Sequence, residues 1–444
     1  MHHRLDDFLE QQDVLYDKQF GFRKKNSTIY ALIEMIEKIK ETIDNGKFGC
    51  GIFIDLKKAF DTVNHEILLK KLEHYGIRGT MLKWFESYLG ERKQFVFFNG
   101  ESSDHMNIHC GVPQGSVLGP LLFLIYINDL PNVSEKLFIY LFADDTNLYY
   151  ESEDLQVLES VLNRELKQLS QWLKVNRLAL NITKSNFVIF HSHKRIVHHN
   201  VTLLLDKKSI LEKGHIKYLG VFIDQHLNWK AHISNISKKI SRNIGILYRL
   251  RRFVDLSMMK NLYYSIIYSH LVYGIEVWGS ACQTALQPIV ILQKKSVRMM
   301  TFNDNFPDVP GPLCPSNALF SELELLKLSD IYKLHVAKFI FLCLHFLTPS
   351  IFHGWFNLTS SIHSYSTTSR CTIITENDSD LGLIRLIPVL HTRHPRLVNY
   401  GGKLLQVSGP ILWNSIPVSI RESNSISISK HALKKHFLQQ YVLH

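Results

Sequence analysis

The sequence predicts an α+β fold, in which a sheet is surrounded by helices. Three observations lead to this prediction. The run Phe48 to Leu56 is nearly all apolar, as in a strand that is buried on both faces. Two short apolar runs flank Asp144-Asp145 and predict a hairpin with the acidic pair at its tip. Residues Leu155 to Val175 have the apolar spacing of a long amphipathic helix.

The first helices are predicted from apolar spacing and from residues that start or end helices. One is expected over Ser27 to Asp44, where apolar residues recur at three- and four-residue intervals until Asn45-Gly46 stops it. Asn64 can cap a second helix, which continues to Tyr75, and Thr80 to Leu89 makes a third.

The middle of the chain alternates between strands and helices. Lys93 to Phe98 and Asn107 to Val112 are expected to pair as a hairpin around Asn99-Gly100. A loop rich in Gly and Pro then leads into an apolar helix from Leu121 to Ile127. After the long helix, further strands are expected near Asn186 to His191 and near Tyr218 to Ile223.

The second half is mostly helical. The pattern beyond Trp229 is helical and basic to about Tyr273, and the Pro-rich stretch from Asn303 to Ser316 is typical of a linker. The tail is predicted to be helical to Leu347, then irregular and rich in Ser and Thr. It ends in a basic helix from Lys430 to Val442.

Composition narrows the class of protein. A chain of 444 residues exceeds the usual size of one core, so two or three subdomains are expected. Hydrophobic residues make up 45% of it, which excludes a disordered protein. The formal charge of +11 and the pI of about 9.2 favour a polyanionic partner, nucleic acid before acidic membrane. Eleven Lys and Arg against two acids give residues 230–300 a net charge of +9.

The cysteines and the apolar helix exclude other classes. Six cysteines are scattered without a C-x-x-C pair, so neither a zinc knuckle nor a disulfide framework is indicated, and reduced thiols in an intracellular protein are expected. The most apolar helical run, Ile331 to Leu347, carries four Lys and His residues and predicts a buried helix rather than a membrane span. A zinc hydrolase is also excluded, because His65-Glu66 does not continue as H-E-x-x-H.

Asp144 and Asp145 are the most informative residues of the chain. Two adjacent carboxylates repel each other, and a divalent cation removes that penalty because Mg²⁺ prefers carboxylate oxygens. Taken alone, however, an Asp-Asp pair is more typical of a solvated turn than of a metal site. A two-metal site for phosphoryl transfer needs a third carboxylate from elsewhere, and Asp55 at the end of the apolar strand is the candidate. The alternative role for Asp55 is to cap the helix that follows.

Four further residues are candidates for binding a nucleotide. Phe60 is expected to point toward the same pocket from a helix start, where its ring would collide with a ribose 2′-hydroxyl; the alternative is an ordinary core Phe. In the loop Gly111 to Pro120, Gln114 is a donor to a nucleotide or template base, and Gly115 allows a nucleobase to approach closely. Lys184 can protonate a pyrophosphate leaving group, or it is simply a solvated lysine.

Taken together, these segments resemble the reverse transcriptase of a LINE-type (non-LTR) retrotransposon, of the jockey or chicken-repeat kind. Six segments occur in the family's order, and the resemblance covers about residues 15 to 300. They are the fingers motif (Gln19 to Thr28), the first catalytic motif (Phe53 to Val63), the nucleotide- and template-positioning motif (Gly111 to Pro120 with Ile127 to Pro131), the second catalytic motif (Phe142 to Thr146), the leaving-group lysine motif (Lys184) and the primer-grip hairpin (Tyr218 to Phe222).

The resemblance implies a right-hand polymerase fold and an RNA-directed DNA polymerase. Asp55 and Asp144 would ligate two Mg²⁺ ions, with Asp145 as a weaker ligand and Mn²⁺ as an alternative metal. Template RNA, primer DNA and dNTPs are the expected partners, with an endonuclease acting in trans and no membrane. Arg23 would contact the nucleotide or serve only in packing. The basic residues expected to grip the template–primer backbone are Lys238, Lys239, Arg242, Arg249, Arg251 and Arg252.

The resemblance also implies how the chain is divided. Residues 1–47 would be partial fingers, 48–225 the palm with a fingers insertion, 226–302 a basic helical thumb, and 303–444 a mostly helical C-terminal region of unassigned role. The stretch before Gln19 is shorter than in such elements, which predicts an N-terminally truncated copy. A catalytically weak or inactive relic that only binds RNA therefore stays open as an alternative. The expected location is the nucleus, the cytoplasm or both.

Overall fold

The computed structural model describes residues 1–301, 316–359, 371–375, 384–393, 395–423 and 425–441. The chain divides into two compact units. The first comprises Met1–Ala31 and Gly46–Ile216, and the second comprises Leu32–Asn45 and Lys217–His444. Of the predicted linker, only Ser316 is among the described residues. The predicted division into four regions stays a prediction.

Helices are the commonest regular element among the described residues. They are α1 (His2–Gln11), α2 (Thr28–Asp44), α3 (His65–His74), α4 (Thr80–Leu89), α5 (Gly119–Ile127), α6 (Leu155–Val175), α7 (Lys230–Leu250), α8 (Leu256–Leu262), α9 (Ser269–Val272), α10 (Ile275–Trp278), α11 (Gln283–Met300), α12 (Ser316–Glu322), α13 (Leu328–Leu344), α14 (Leu405–Asn414), α15 (Val418–Arg421) and α16 (Ile426–Gln439).

The strands lie mainly in the first unit. They are β1 (Phe48–Ile54), β2 (Lys93–Gln94), β3 (Phe97–Phe98), β4 (Glu101–Ser102), β5 (Met106–Asn107), β6 (Phe138–Phe142), β7 (Asp145–Ser152), β8 (Asn186–Phe190), β9 (Leu204–Leu205), β10 (Lys208–Ser209), β11 (Leu211–Glu212), β12 (His215–Tyr218), β13 (Val221–Asp224), β14 (Cys371–Thr375) and β15 (Ile384–Pro388).

A five-stranded sheet is the centre of the first unit. Its order is β11-β8-β1-β7-β6, and β1 is antiparallel to both β7 and β8. All residues of β1 are buried, as the apolar run predicts. The apolar residues of α3, α5 and α6 form one core cluster with the sheet. The α+β fold is therefore confirmed.

Local signals set several boundaries correctly. The Asn64 side chain accepts a hydrogen bond from the Ile67 amide at 3.0 Å and starts α3 at the predicted place. The turn Asn99-Gly100 has positive φ at both residues, +51° and +86°, as a tight hairpin requires. The returning strand of that hairpin is displaced from the predicted position, because Cys110 and Gly111 pair with Asn64 and Val63 instead.

The second unit is built around helices. Its α7 contacts α11 and β13, and α13 contacts α14 and α16. The single strand that the apolar pattern predicted near Tyr218 to Ile223 is wrong, whereas the hairpin that the resemblance implied at Tyr218 to Phe222 is present. Its strands β12 and β13 turn around Leu219-Gly220, both at positive φ. The predicted basic C-terminal helix is present as α16, displaced toward the N-terminus. Across the described residues, no helix is long and apolar enough to cross a membrane.

Candidate active site

The pairing of β1 with β7 brings the predicted carboxylates together. In the antiparallel register Ile54 lies opposite Thr146, so Asp55 just after β1 and Asp145 at the start of β7 lie at the same end of the sheet. Phe142 pairs with Asp145, which leaves Ala143 and Asp144 as the two residues of the turn between β6 and β7. Two segments far apart in the sequence thereby meet at one edge.

The acidic pair is electrostatically unfavourable without a cation. Burial raises the pKa of Asp145 to about 6, and the negative charges of Asp144 and Asp55 add to the shift. The side chain of Asp145 is nonetheless open to solvent, so its carboxylate is crowded by protein atoms but still accessible. Burial also raises the pKa of Asp144, with the charge of Asp55 as a smaller cause. A bound cation would reverse both shifts.

Asp55 is oriented by residues that the sequence analysis did not select. The Asn181 amide group donates a hydrogen bond of 2.7 Å to Asp55 Oδ2, and the Asn181 backbone amide donates to the Asp55 carbonyl at 2.8 Å. The buried Ser185 accepts a 3.3 Å bond from the Asp55 backbone amide. Both partners lie in the segment around Lys184, so the signal was present in the sequence but was assigned to the lysine alone.

Gln19 holds the turn between β6 and β7 by hydrogen bonds to the backbone. Its side chain is 2% exposed, and Oε1 accepts hydrogen bonds of 3.0 Å from the backbone amides of Gly21 and Ala143. Gly21 must be glycine, because a Cβ would lie 2.4 Å from the Ala143 nitrogen. Ala143 has φ +55°, an uncommon conformation for a residue with a Cβ, at the position just before Asp144.

A cavity of about 290 Å³ is lined by Phe60, Gln114 and Gly115, together with Phe22 and nearby prolines. Phe60 lies on a short 3₁₀ turn, Ala59–Asp61, rather than at the start of a helix. Its ring stacks on Phe123 at 4.4 Å between centroids and meets Phe22 edge-on at 6.4 Å. These contacts fix the ring at the wall of this cavity. The expectation that Phe60 shares a pocket with the carboxylates stays a prediction.

The loop that carries Gln114 is held against the first catalytic motif. Gln114 Nε2 donates a 2.6 Å hydrogen bond to Asp61, and the Val112 amide donates to the Phe60 carbonyl at 2.9 Å. Gly115 has φ +79° and open space around its Cβ position. The loop therefore presents an uncovered edge to the cavity, as close approach by a ligand requires.

The side chains of Lys184 and Arg23 differ in whether they can contact a ligand. Lys184 is exposed on the turn that holds Asp55, and its ammonium forms no ion pair with a described residue. The Arg23 guanidinium forms two bonds to the Glu10 carboxylate and a 2.8 Å bond to the Tyr16 carbonyl, with 10% of its side chain exposed. These contacts favour the packing role for Arg23 over contact with a nucleotide.

The side chains of Asp55, Asp144 and Asp145 have the chemistry that a divalent cation requires of its ligands. Carboxylates are the ligands that Mg²⁺ prefers. Burial is the main cause of the raised pKa values of Asp144 and Asp145, and the negative charge of Asp55 contributes to both shifts, so the three carboxylates interact with one another. The chemistry of these three side chains therefore fits a site for Mg²⁺. Among the described residues, however, no group of three or more His, Cys, Asp or Glu side chains is arranged to hold a metal ion. Asp55, Asp144 and Asp145 would have to move closer together to coordinate a metal ion.

The predicted basic residues lie on α7 and just after it. Five of the six are exposed, but Arg251 is 8% exposed and stacks its guanidinium over Tyr248 at 4.2 Å. Between α7 and α11 lies a cavity of about 790 Å³ lined by Lys230, Lys238 and several serines. The Ser237 hydroxyl is buried there without a hydrogen-bond partner among the described residues. Exposed cations beside a cavity that contains serine hydroxyls suit an anionic ligand.

An antiparallel sheet with carboxylates at the β6–β7 turn and the end of β1 defines the palm of a polymerase fold. A family model described as reverse transcriptase (RNA-dependent DNA polymerase) matches residues 1–223. The chain belongs to this family.

Curated relatives indicate to which branch of the reverse transcriptase family the chain belongs. The chain is 29% identical over 305 residues to the probable RNA-directed DNA polymerase from transposon X-element of Drosophila melanogaster, covering 67% of this chain and 33% of that protein. It is 30% identical over 293 residues to the RNA-directed DNA polymerase from mobile element jockey of the same species, covering 64% of this chain and 32% of that protein. The chain thus spans about a third of the length of these relatives. The predicted non-LTR branch is confirmed.

Solved structures are more distant. A telomerase from Candida albicans, in complex with a TWJ fragment of telomeric RNA, aligns with a TM-score of 0.40 and 13% identity. The alignment covers 73% of this chain and 58% of that chain. A likeness of this size carries no argument about the site.

Proposed function

We propose that this chain extends a DNA primer on an RNA template with dNTPs, as the RNA-directed DNA polymerase of a non-LTR retrotransposon. One observation carries the proposal: the β1–β7 register that brings Asp55 to the turn holding Asp144 and Asp145. The primer 3′-hydroxyl oxygen would attack the α-phosphorus of the dNTP, and the bond to the β-phosphate oxygen would break to release pyrophosphate.

Each candidate residue has a part in that reaction. Asp55 and Asp144 would hold two Mg²⁺ ions, or Mn²⁺, with Asp145 as the weaker ligand. When bound, such ions activate the hydroxyl and neutralise the phosphates. Lys184 would give a proton to the departing pyrophosphate, and its position on the turn that hydrogen-bonds Asp55 supports this role.

The cavity lined by Phe60, Gln114 and Gly115 would hold the dNTP. Phe60 at its wall would exclude a ribose 2′-hydroxyl, since the stacking on Phe123 leaves the ring little freedom to move aside. Gln114 would donate to the nucleotide or the template base after releasing Asp61, and Gly115 would let the base approach. Arg23 would act by holding Glu10 and the Tyr16 carbonyl rather than by touching the nucleotide.

The exposed cations of the second unit would bind the template–primer backbone. Lys238, Lys239, Arg242, Arg249 and Arg252 would neutralise phosphates, and binding would weaken steeply as salt rises. An endonuclease acting in trans would be a further partner of such an element, with the nucleus or cytoplasm as the place of action.

A second candidate function is RNA binding without catalysis. It is favoured by one observation, that no ready-made group of three or more metal-ligating side chains exists among the described residues. Primer extension on an RNA template with Mg²⁺ separates the two functions. Wild type should extend the primer and Asp144→Asn should lose about 1,000-fold in rate, while the exposed Asp104→Asn should keep wild-type activity. RNA binding with no extension above Asp144→Asn would leave only the second function.

A further inference from the structure

A second ligand-sized cavity lies inside the second unit. Its volume is about 420 Å³, within the usual range for small-molecule sites. One wall is a π-helical turn, Tyr263–Tyr268, and the facing wall is α16. π-Helical turns are rare in proteins, and those that occur often lie at functional sites. Neither wall belongs to the six segments on which the polymerase assignment rests.

The tyrosine wall is suited to an aromatic ring. Tyr264 is 39% exposed, and its ring meets that of Tyr268 at 5.1 Å between centroids. Burial raises the pKa of Tyr268 to about 12, so its phenol is neutral at pH 7. No hydrogen bond joins either hydroxyl to a described residue. Leu326 and Leu334 complete an apolar surface against which a flat base would stack.

The opposite wall is suited to a phosphate. Lys430, His431 and Lys434 line the cavity from one face of α16, and none of them forms an ion pair with a described residue. Burial raises the pKa of Tyr264 on the opposite wall, and the negative charge of Glu324 adds to that shift, so an acidic charge acts on the tyrosine side of the cavity. A negative group would therefore be drawn to α16 and an uncharged ring to the tyrosines.

The α16 wall is fixed in place. The Tyr441 hydroxyl just beyond the helix donates a 2.6 Å hydrogen bond to Asp330 and accepts a 2.9 Å bond from the Lys327 amide. Both partners belong to the start of α13. The cations are thus held at a constant position relative to the tyrosines, which lowers the entropy that a ligand would lose on binding.

We propose that this cavity binds one unpaired nucleotide of an RNA strand, with the base against Tyr264 and Tyr268 and the phosphate against Lys430 and Lys434. A base-paired nucleotide could not present its flat face to the tyrosines, so the site selects single-stranded RNA. The cavity does not use the Asp55, Asp144 and Asp145 site, and it would bind RNA whether or not the chain polymerises DNA.

The test is photo-crosslinking of the full chain to a single-stranded RNA heptamer with one 4-thiouridine, followed by peptide mapping. Crosslinks to the Tyr263–Tyr268 turn are expected. Tyr264→Leu, which keeps an apolar side chain, should weaken heptamer binding about tenfold. Lys434→Ala should lower the salt slope of binding by about 0.7, while the matched control Lys435→Ala, which does not line the cavity, should leave it unchanged.

Three outcomes would overturn the proposal. The first is crosslinks confined to other peptides, a result that needs only wild-type protein. The second is an equal effect of Lys434→Ala and Lys435→Ala. The third is displacement of the heptamer by inorganic phosphate as effectively as by UMP, which would reveal an anion site without base recognition. Primer extension by the same Lys434→Ala protein reports separately on the polymerase, so the two proposals fail independently.

Discussion

The support of the catalytic turn by Gln19 can be tested with Gln19→Met. The substitution keeps the volume of a side chain that is 2% exposed but removes the oxygen that accepts from the Gly21 and Ala143 amides. Each buried amide left without an acceptor costs about 1–3 kcal/mol. Two such amides cost about 2–6 kcal/mol, but the substitution also removes Gln19 Nε2, which is buried without a hydrogen-bond partner among the described residues. Because that removal is favourable, the free energy of unfolding should fall by about 2–4 kcal/mol, which a protein of typical stability survives.

Activity should fall further than stability alone explains. The Ala143 amide lies one residue before Asp144, so loss of its acceptor should let the turn and the Asp144 carboxylate move. A displacement of about 1 Å at reacting groups costs about 100-fold in rate. Denaturant unfolding and primer extension measure the two effects, with the exposed Gln12→Met as the matched control. Equal behaviour of Gln19→Met and Gln12→Met in both assays would refute the supporting role of Gln19.

The remaining predictions concern the metal, the sugar and the salt dependence. Because the pKa of Asp145 is raised to about 6, its ionisation should cost the folded protein about 1 kcal/mol, after screening by solvent, as pH rises from about 4 to about 6. Mg²⁺ should stabilise the chain more at pH 7.5 than at pH 5, and Asp145→Asn should flatten both trends in thermal unfolding. Phe60→Val should raise incorporation of ribonucleotides relative to dNTPs about 10- to 100-fold in single-turnover assays, and unchanged discrimination would show that the ring only packs. Arg252→Gln should lower the salt slope of template–primer binding by about 0.9, whereas Arg251→Gln should mainly lower stability because its guanidinium packs on Tyr248. Equal slopes for the two variants would place the phosphate contacts elsewhere.

The sequence predicted elements that depend on local signals. Asn64 starts α3, the turn Asn99-Gly100 forms its hairpin, and the helix Leu155–Val175 has the predicted ends. It also selected Asp55 as the candidate third carboxylate, because a charge at the end of a buried strand needs a partner. The pairing of β1 with β7, which brings Asp55 to the acidic pair, is seen only in the structure.

Features that depend on tertiary contacts could not be predicted from local sequence signals. Gln19 acts on a turn far along the chain, and only packing against Leu141 reveals its role. Asn181 was overlooked beside Lys184, although it binds Asp55 directly. Arg251 resembles its exposed neighbours in sequence but is buried. The turn at Leu219 was implied only by the resemblance, because the apolar pattern itself predicted one strand and a non-glycine residue at φ +41° has no local sequence signature.

The central claim is that Asp55 joins Asp144 and Asp145 in one catalytic site. Asp55→Asn tests it most directly, because the amide oxygen can still accept the hydrogen bond from Asn181 and the fold should be retained. RNA-templated primer extension with Mg²⁺ should fall by about 1,000-fold while template binding stays at the wild-type level. Extension by Asp55→Asn at the wild-type rate would contradict the account.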